Sequence, residues 1–220
     1  MPKNKTETIT ETMVSTTNDS YIRRSTLPYS AGQIFALFAE EQGAVFLDSS
    51  LENNLGQYSI IGLVPYHEVS VENGIFSVDG TTHSGTPAEY LKAYLRRNHR
   101  ENPTDLPLTD GAIGYVTYDY GMKGMGLTSR HEAKIAMADM KWIFYDFFII
   151  EDLKDHSLWF IANGHTEPPQ ELWEKMENLI KEKMAAFTAP ILTDTYPIDI
   201  RPDCTPDELS LIHISEPTRL

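Results

Sequence analysis

The sequence predicts an α+β fold in which antiparallel strands alternate with single amphipathic helices. The clearest strand signal lies at residues 68–78, where polar and apolar residues alternate on both sides of Asn73 and Gly74, the pair that a tight hairpin turn requires. A second signal is the apolar run 141–152, which is rich in aromatic and β-branched residues and is followed by a returning strand at 158–162. Hairpins that alternate with isolated helices are typical of the α+β class.

Composition excludes several classes of protein. The chain has 220 residues, of which 41% are hydrophobic and 10% aromatic, so we expect one large or two small globular domains. Its net charge of −14 opposes binding to nucleic acid or to anionic membranes. The single cysteine, Cys204, cannot form an internal disulfide, and no apolar run reaches the roughly 18 residues of a membrane span. Because an apolar signal core is also lacking, we expect a cytoplasmic protein.

The first part of the chain predicts a tail, a strand and a helix. Residues 1–20 are polar and rich in Thr and Glu, so we expect a mobile tail, in which residues 9–15 could pair as an edge strand. Residues 21–27 predict a short strand. Ser30 can cap a helix that runs to about residue 40. Its buried stripe would consist of Ile34, Phe35, Leu37 and Phe38.

Residues 46–66 predict a strand, a polar strand end, a loop and a second strand. The apolar run ends in Asp48, Ser49 and Ser50, and a second β-prone run at 58–61 stops at Gly62 and Pro65. Such a loop can bring backbone amides and serine hydroxyls to a small polar ligand. An ordinary connection between strands is the alternative, because Ser and Asn favour turns wherever they occur.

The second helix has a well-formed start at Thr86, Pro87 and Glu89 and is predicted to run to about residue 98. Its inward residues would be Tyr90, Leu91, Tyr94 and Leu95. Near its C-terminus lie the basic residues Arg96, Arg97, His99 and Arg100. We interpret this cluster as favourable to the helix dipole rather than as a phosphate site.

The remaining elements are predicted from glycine positions and apolar periodicity. Residues 111–119 indicate a buried strand in which glycines allow close backbone approach, and GMKGMG at 121–126 lacks the spacing of a dinucleotide loop, which indicates a flexible loop. Asp146 interrupts the central apolar run, so we expect a structural hydrogen bond rather than catalysis. Residues 168–187 predict a helix whose apolar face consists of Leu172, Met176, Leu179, Ile180 and Met184.

No local pattern indicates catalytic chemistry. The seven histidines show neither HxxxH nor HExxH spacing, and no serine lies in a GxSxG context. From chemistry alone, therefore, the sequence shows neither catalytic residues nor metal ligands.

Three segments together resemble a known family: FLDSSLENNLGQYSIIGLVPY, GAIGYVTYDYG and WIFYDFFIIEDLKDHSLWFIA. They are similar, in the family's order, to the N-terminal domain of component I of the chorismate-utilising synthases, which include the aminodeoxychorismate and anthranilate synthases. With the segments between them they span about residues 21–200. The resemblance implies an α+β fold of orthogonally packed antiparallel β-sheets flanked by helices.

Two short blocks, LDSS and YDYG, are more similar to the aminodeoxychorismate branch. That resemblance implies a parent enzyme, a transferase of para-aminobenzoate and folate biosynthesis, that aminates chorismate to 4-amino-4-deoxychorismate. It also implies Mg²⁺ as cofactor and a glutamine amidotransferase (component II) as partner. The anthranilate branch, which serves tryptophan biosynthesis, and a free-standing tryptophan-binding module are the alternatives.

The resemblance further implies a tryptophan site between the sheets. The positions that match the motif are Ser49, Leu55, Gly56, Gln57 and Tyr58. Gln57 stands where the family usually has Arg, Met122 where Arg is expected, and Met125 where Glu often lies. With those charges missing, a purely structural loop is the alternative.

The family's catalytic residues lie in a C-terminal chorismate-binding domain, which we expect this chain to lack. Residues 201–208 resemble the beginning of that domain, whereas residues 209–220, LSLIHISEPTRL, resemble translated sequencing adapter. We therefore expect a non-native tail on a truncated, inactive chain; a genuine short tail is the alternative.

Overall fold

The computed structural model describes residues 20–50, 56–127 and 136–187. The strands are β1 (Tyr21–Arg24), β2 (Val45–Leu47), β3 (Tyr58–Glu72), β4 (Ile75–Val78), β5 (Thr81–Thr82), β6 (Ala112–Val116), β7 (Met140–Asp152) and β8 (Ser157–Ala162). The helices are α1 (Ala31–Phe35), α2 (Pro87–Arg97), α3 (Tyr118–Gly124) and α4 (Pro169–Ala186). Among the described residues, no helix is long and apolar enough to cross a membrane.

All these strands form one antiparallel sheet around β3 and β7, which pair from Tyr58 opposite Asp152 to Val71 opposite Met140. The beginning of β3 also pairs with β2, and the end of β7 pairs with β8 and, through it, β1. The end of β3 pairs with β4 and then β5, and the beginning of β7 pairs with β6. We call these parts the β8 half and the β6 half. The predicted α+β class, with antiparallel strands and flanking helices, is confirmed.

The two halves meet at a β-bulge in β3. The pairing register with β7 shifts between Pro65 and His67, and Val64 has a φ of 55°, which is rare for a β-branched residue. Bulges bend a strand and tolerate proline, which cannot donate to the ladder. The predicted strand end at Gly62 and Pro65 is therefore wrong, because β3 passes through both residues.

The described residues form three apolar clusters, arranged by the alternation of side chains along the strands. α1 and α4 cover one face of the β8 half, where Phe147 and Ile149 are buried. Phe148 and Ile150 point to the opposite face and pack with Tyr145 in a second cluster. α2 covers the β6 half in a third cluster. Because both faces of β7 are covered, its sequence is apolar on both faces, apart from Asp146 and the charged residues near the two ends.

Local capping signals correctly place the starts of α1 and α2. Ser30 Oγ accepts a hydrogen bond from the Gln33 amide, and Thr86 Oγ1 accepts one from the Glu89 amide. α1 is shorter than predicted, because after Phe35 the chain continues in turns with i→i−3 hydrogen bonds. In α2, Leu95 is 51% exposed, so its predicted inward orientation is wrong.

The glycine-rich region was predicted only in part. β6 confirms a strand, but its last residues are exposed rather than buried. GMKGMG begins inside α3, not in a loop, because Thr117 Oγ1 caps that helix by accepting from the Tyr120 amide. The predictions for residues 1–19, 51–55 and 188–220 lie outside the described residues.

Candidate functional site

The polar strand end after β2 is tied to the beginning of β3. Ser49 Oγ donates to the Tyr58 carbonyl oxygen at 2.7 Å, and the Ser49 amide donates to Ser59 Oγ at 3.2 Å. Ser59 Oγ in turn donates to Asp48 Oδ1 at 3.2 Å. The segment therefore has a defined conformation in which the hydroxyls of Ser49 and Ser59 are already hydrogen-bonded.

The structure brings together part of the predicted tryptophan-site set. Ser49 and Tyr58 are in contact, and both are half-buried. Gln57 adjoins them, and its carbonyl oxygen accepts from the Leu153 amide at 2.9 Å. Gly56 precedes Gln57 in the chain, whereas Leu55 lies outside the described residues.

Met122 and Met125 lie in and just after α3, near the opposite end of β7. Val116, just before α3, pairs with Met140, whereas Tyr58 pairs with Asp152. Twelve residues of strand separate these two pairs, which corresponds to about 40 Å if the strand were straight. The methionines that replace the family's charges therefore flank a different end of the sheet from Ser49.

A second polar cluster, which the sequence analysis did not find, surrounds Asp110. His165 Nε2 lies 3.2 Å from Asp110 Oδ1, and Arg100 Nε lies 3.6 Å from Asp110 Oδ2. Arg100 Nη1 also donates to the carbonyl oxygen of Asn163 at 2.7 Å. The ring of Tyr66 stacks on the His165 imidazole with 4.3 Å between centroids. These residues are too far apart in sequence for any local spacing to have indicated the cluster.

Asp146 holds the loop that positions His165. Its carboxylate is fully buried and accepts hydrogen bonds from the amides of His165, at 2.8 Å, and Thr166, at 2.7 Å. Thr166 Oγ1 also donates to it. The predicted structural hydrogen bond of Asp146 is confirmed.

The phenol of Tyr66 is partly desolvated. Its pKa is raised above the ordinary value, mainly by desolvation and further by the Tyr94 hydroxyl, which lies 3.5 Å away. Tyr66, Tyr94, Arg100, Asp110 and Phe144 line a cavity of about 300 Å³. The cavity thus combines aromatic walls with one pair of opposite charges.

His67, next to the bulge, contacts Tyr94, which lines the same cavity. His67 Nδ1 lies 2.8 Å from Asp79 Oδ2, and His67 Nε2 lies 3.2 Å from the Tyr90 hydroxyl. Its ring stacks on Tyr94. Within residues 20–50, 56–127 and 136–187, no group of three or more His, Cys, Asp or Glu is placed to hold a metal ion.

Comparison with known proteins agrees with the resemblance. No family model matches the chain. It is 34% identical over 116 residues to anthranilate synthase component 1 of Lactococcus lactis, a match that covers 51% of this chain and 25% of the relative. It is 24% identical over 143 residues to aminodeoxychorismate synthase component 1 of Bacillus subtilis, covering 63% of this chain and 30% of the relative. The matches thus span only about a quarter to a third of these relatives.

The fold also has a solved counterpart. A crystal structure of anthranilate synthase component I from Streptococcus pneumoniae matches with a TM-score of 0.52 and 22% identity. The match covers 87% of this chain and 45% of that chain, so nearly all of the present sequence corresponds to less than half of the solved protein. The chain is therefore homologous to component I of the anthranilate and aminodeoxychorismate synthases.

Proposed function

We propose that this chain is the scaffold and tryptophan-site domain of an aminodeoxychorismate synthase component I that acts in the cytoplasm. The parent enzyme would aminate chorismate to 4-amino-4-deoxychorismate for para-aminobenzoate and folate synthesis. The LDSS and YDYG blocks and the homology to component I support this proposal. A scaffold role is also supported by the use of buried carboxylates. Asp146 accepts from loop amides, and Glu151 accepts from the Ala31 amide at the start of α1.

The observation that carries the tryptophan part is the contact between Ser49 and Tyr58. It joins the Ser49 hydroxyl to the backbone carbonyl oxygen of Tyr58, and the conformation is already held by further hydrogen bonds. A preformed polar strand end suits the charged groups of an amino acid, because binding costs little ordering of the protein.

Calorimetry with L-tryptophan tests this part on the 220-residue chain. We expect Ser49→Ala to weaken binding about ten-fold, because it removes a hydrogen bond that shapes the loop. Ser50→Ala, in the adjacent and more exposed residue, is the matched control and should bind like the wild type. If the wild type takes up no tryptophan, the tryptophan site and the free-standing binding module are both rejected.

The anthranilate branch is the second candidate, favoured by the 34% identity to the Lactococcus protein. The two reactions give products that are easily separated. Anthranilate is aromatic and fluorescent and has lost pyruvate, whereas 4-amino-4-deoxychorismate retains the enolpyruvyl group. Full-length enzyme supplied with chorismate, ammonium and Mg²⁺ should yield the heavier, non-fluorescent product. Anthranilate as the product would assign the protein to the other branch.

The same assay tests the scaffold role and the proposed partner. We expect no turnover from the 220-residue chain alone, and turnover there would reject a scaffold role. We expect the full-length enzyme to use ammonium by itself and to use glutamine only when a glutamine amidotransferase is added. Glutamine-dependent turnover without that subunit would argue against a separate component II.

A further inference from the structure

Asparagine followed by glycine occurs twice in the chain, as Asn73-Gly74 and as Asn163-Gly164. In such a pair the backbone nitrogen of the glycine can attack the side-chain amide carbon of the asparagine, because glycine has no Cβ to obstruct the approach. The attack releases ammonia, and water then opens the cyclic imide to a carboxylate. In a folded protein the reaction depends on the freedom of the asparagine side chain and on the access of water.

Asn73 and Gly74 lie at the exposed tip of the β3–β4 hairpin. Glu72 pairs with Ile75, so these two residues form the whole loop, and their φ angles are 51° and 77°. A Cβ at Gly74 would meet nothing within 4 Å. None of the hydrogen bonds in the described part of the chain involves the Asn73 side chain or the Gly74 amide. The reacting groups of this pair are therefore free and in contact with water.

The second pair is restrained by the fold. Asn163 has no exposed surface, and its side-chain oxygen accepts a hydrogen bond from Ser20 Oγ at 2.9 Å. Its backbone amide donates to the Asp146 carbonyl oxygen at 2.9 Å, and its carbonyl oxygen accepts from Arg100 Nη1 at 2.7 Å. The side chain cannot turn towards the glycine nitrogen without losing its contact with Ser20, and water does not reach it in the folded state.

A second hairpin turn separates the effect of the side chain from that of the backbone. Asp79 and Gly80 have φ angles of 49° and 75°, nearly the same as those of Asn73 and Gly74. The Asp79 carboxylate, however, accepts from the Glu68 amide at 2.8 Å and lies 2.8 Å from Nδ1 of the adjacent histidine. Of these two turns with the same conformation, the one at Asn73 leaves its side chain unrestrained.

We propose that Asn73 is a site of spontaneous deamidation, with water as the co-reactant and ammonia as the leaving group. A bond forms from Gly74 N to Asn73 Cγ while the bond from Cγ to Nδ2 breaks, and the departing amide takes the proton of the Gly74 amide to leave as ammonia. Water then cleaves one of the two C–N bonds of the imide. Cleavage at Cγ gives aspartate, whereas cleavage at the main-chain carbonyl carbon gives isoaspartate. Either product adds one negative charge to the chain.

Isoaspartate changes the hairpin more than the added charge does. It inserts a methylene group into the main chain of a two-residue loop, whose length fixes the pairing register of the strands. The buried pair Val71 and Phe76 lies next in that register and belongs to the apolar cluster of the β6 half. The modified hairpin should therefore pack less well on this half. The modification does not depend on the proposed function.

Peptide mapping by mass spectrometry tests the site on the 220-residue chain, incubated at mildly alkaline pH. We expect Asn73 to convert at least about ten-fold faster than Asn163, because Asn163 reacts only after local opening of the fold. In urea the two rates should agree within about two-fold, because both residues precede glycine. Conversion of Asn163 as fast as Asn73 in the native protein would overturn the proposal. So would an intact native Asn73 under conditions in which the denatured chain has reacted.

Asp79→Asn is the matched control, because it places another asparagine in the same turn conformation. The side-chain oxygen at position 79 can still accept from the Glu68 amide, so this residue should convert at least about three-fold more slowly than Asn73. Equal rates at the two positions would contradict the role given to the free side chain.

Freshly prepared Asn73→Asp protein separates the added charge from the change in the main chain. Labelling by a protein isoaspartate methyltransferase identifies the isoaspartate fraction of the aged wild type. We expect β4 to exchange its amide hydrogens faster in that fraction than in Asn73→Asp, which should exchange like the unmodified protein. Equal exchange in the isoaspartate fraction and in Asn73→Asp would overturn the effect on the hairpin.

Discussion

At the scale of single residues, the buried polar side chains of this protein form hydrogen bonds that contribute to its stability. Asp146 has no exposed surface and accepts from two backbone amides and a hydroxyl. Tyr145 is 1% exposed, and its hydroxyl donates to the Gly43 carbonyl oxygen at 2.8 Å. Asn163 Nδ2 is the exception among the described residues, since it is buried without a partner. Each of these hydrogen-bonded side chains can be tested by mutation. Removing one group leaves its partner buried without a hydrogen bond, which lowers the free energy of unfolding.

Asp146→Asn should lower the free energy of unfolding by about 2–4 kcal/mol. The substitution removes the charge and brings an amide donor towards the amides of His165 and Thr166. Urea denaturation measures the change. Asp152→Asn is the control, because Asp152 accepts from the Lys154 amide in an exposed turn, and its effect should be below about 0.5 kcal/mol. Equal effects in the two variants would contradict the importance of the Asp146 contacts.

The Tyr145→Phe variant tests how the free energy of unfolding depends on pH. Burial, and secondarily the charge of Glu68, raises the pKa of Tyr145 from 10.0 to about 12. Because the folded state holds the proton more tightly, this stabilisation is present below pH 10 and is lost as the pH rises through about 12.

Two-state unfolding at a series of pH values gives the measurement. At pH 7 the Tyr145→Phe protein should be about 1 kcal/mol less stable, because the Gly43 carbonyl loses its donor. The difference in free energy of unfolding between the two proteins should narrow above pH 10 and reverse in sign before about pH 12, because the rise in pKa from 10.0 to about 12 outweighs about 1 kcal/mol. Tyr118→Phe, at a residue that is 83% exposed, should track the wild type throughout. A gap that stays constant to pH 12 would contradict the raised pKa.

At the scale of elements, the position of β6 depends on a glycine. A Cβ at Gly114 would overlap the carbonyl oxygen of Lys141 and lie 2.8 Å from the Cα of Trp142, both on the paired strand. The glycines of α3 have a different environment, because a Cβ at Gly121 would meet nothing within 4 Å. The close backbone approach predicted for the glycines of residues 111–119 is thus confirmed at Gly114, where the neighbouring backbone is that of β7.

Gly114→Ala should destabilise the protein by about 1–3 kcal/mol, because backbone atoms of β7 cannot move aside as side chains can. Gly121→Ala should be neutral or stabilise by up to about 1 kcal/mol, because alanine is the better helix former. Thermal unfolding of the two variants gives the comparison. Equal midpoints for both would show that β6 is not packed against β7 as described.

At the scale of the whole described structure, β3 and β7 couple the two halves of the sheet. Each strand contributes one end to the β8 half and the other to the β6 half. Three apolar clusters lie along this shared pair. One lies on the β8 half, one on the β6 half, and the third extends from Ile161 of β8 to Ile113 of β6 and so spans both. Loss of pairing in one half therefore removes the support of the other half.

We predict one cooperative unfolding transition for both halves. Native-state hydrogen exchange should give the same free energy of opening for peptides from the beginning and from the end of β7, within about 0.5 kcal/mol. Edge strand β5, with only two residues, is the internal control and should exchange earlier. Two separate free energies along β7 would show that the bulge divides the sheet into independent units.

Much of the fold could be predicted from local sequence. The Asn73-Gly74 hairpin has positive φ at both residues, as predicted, and the Thr86 and Ser30 caps begin their helices. The resemblance named the related enzymes, and the comparisons agree. The continuation of β3 through Pro65 was missed, because a bulge depends on the partner strand. The helix in GMKGMG was missed because a single cap at Thr117 outweighed the glycines.

The residues of the candidate sites were likewise predicted only in part. Ser49 and Tyr58 are near each other in sequence, and the polar residues that join them could be predicted from turn chemistry. Arg100, Asp110 and His165 lie up to 65 residues apart, and no spacing rule relates them. The sequence by itself determined most of the strands, the starts of α1 and α2 and the resemblance to component I, because these follow from periodicity, capping and motif order. Only the tertiary structure decided the bulge, the coupled halves and the Arg100–Asp110 cavity, because pairing between distant strands creates them.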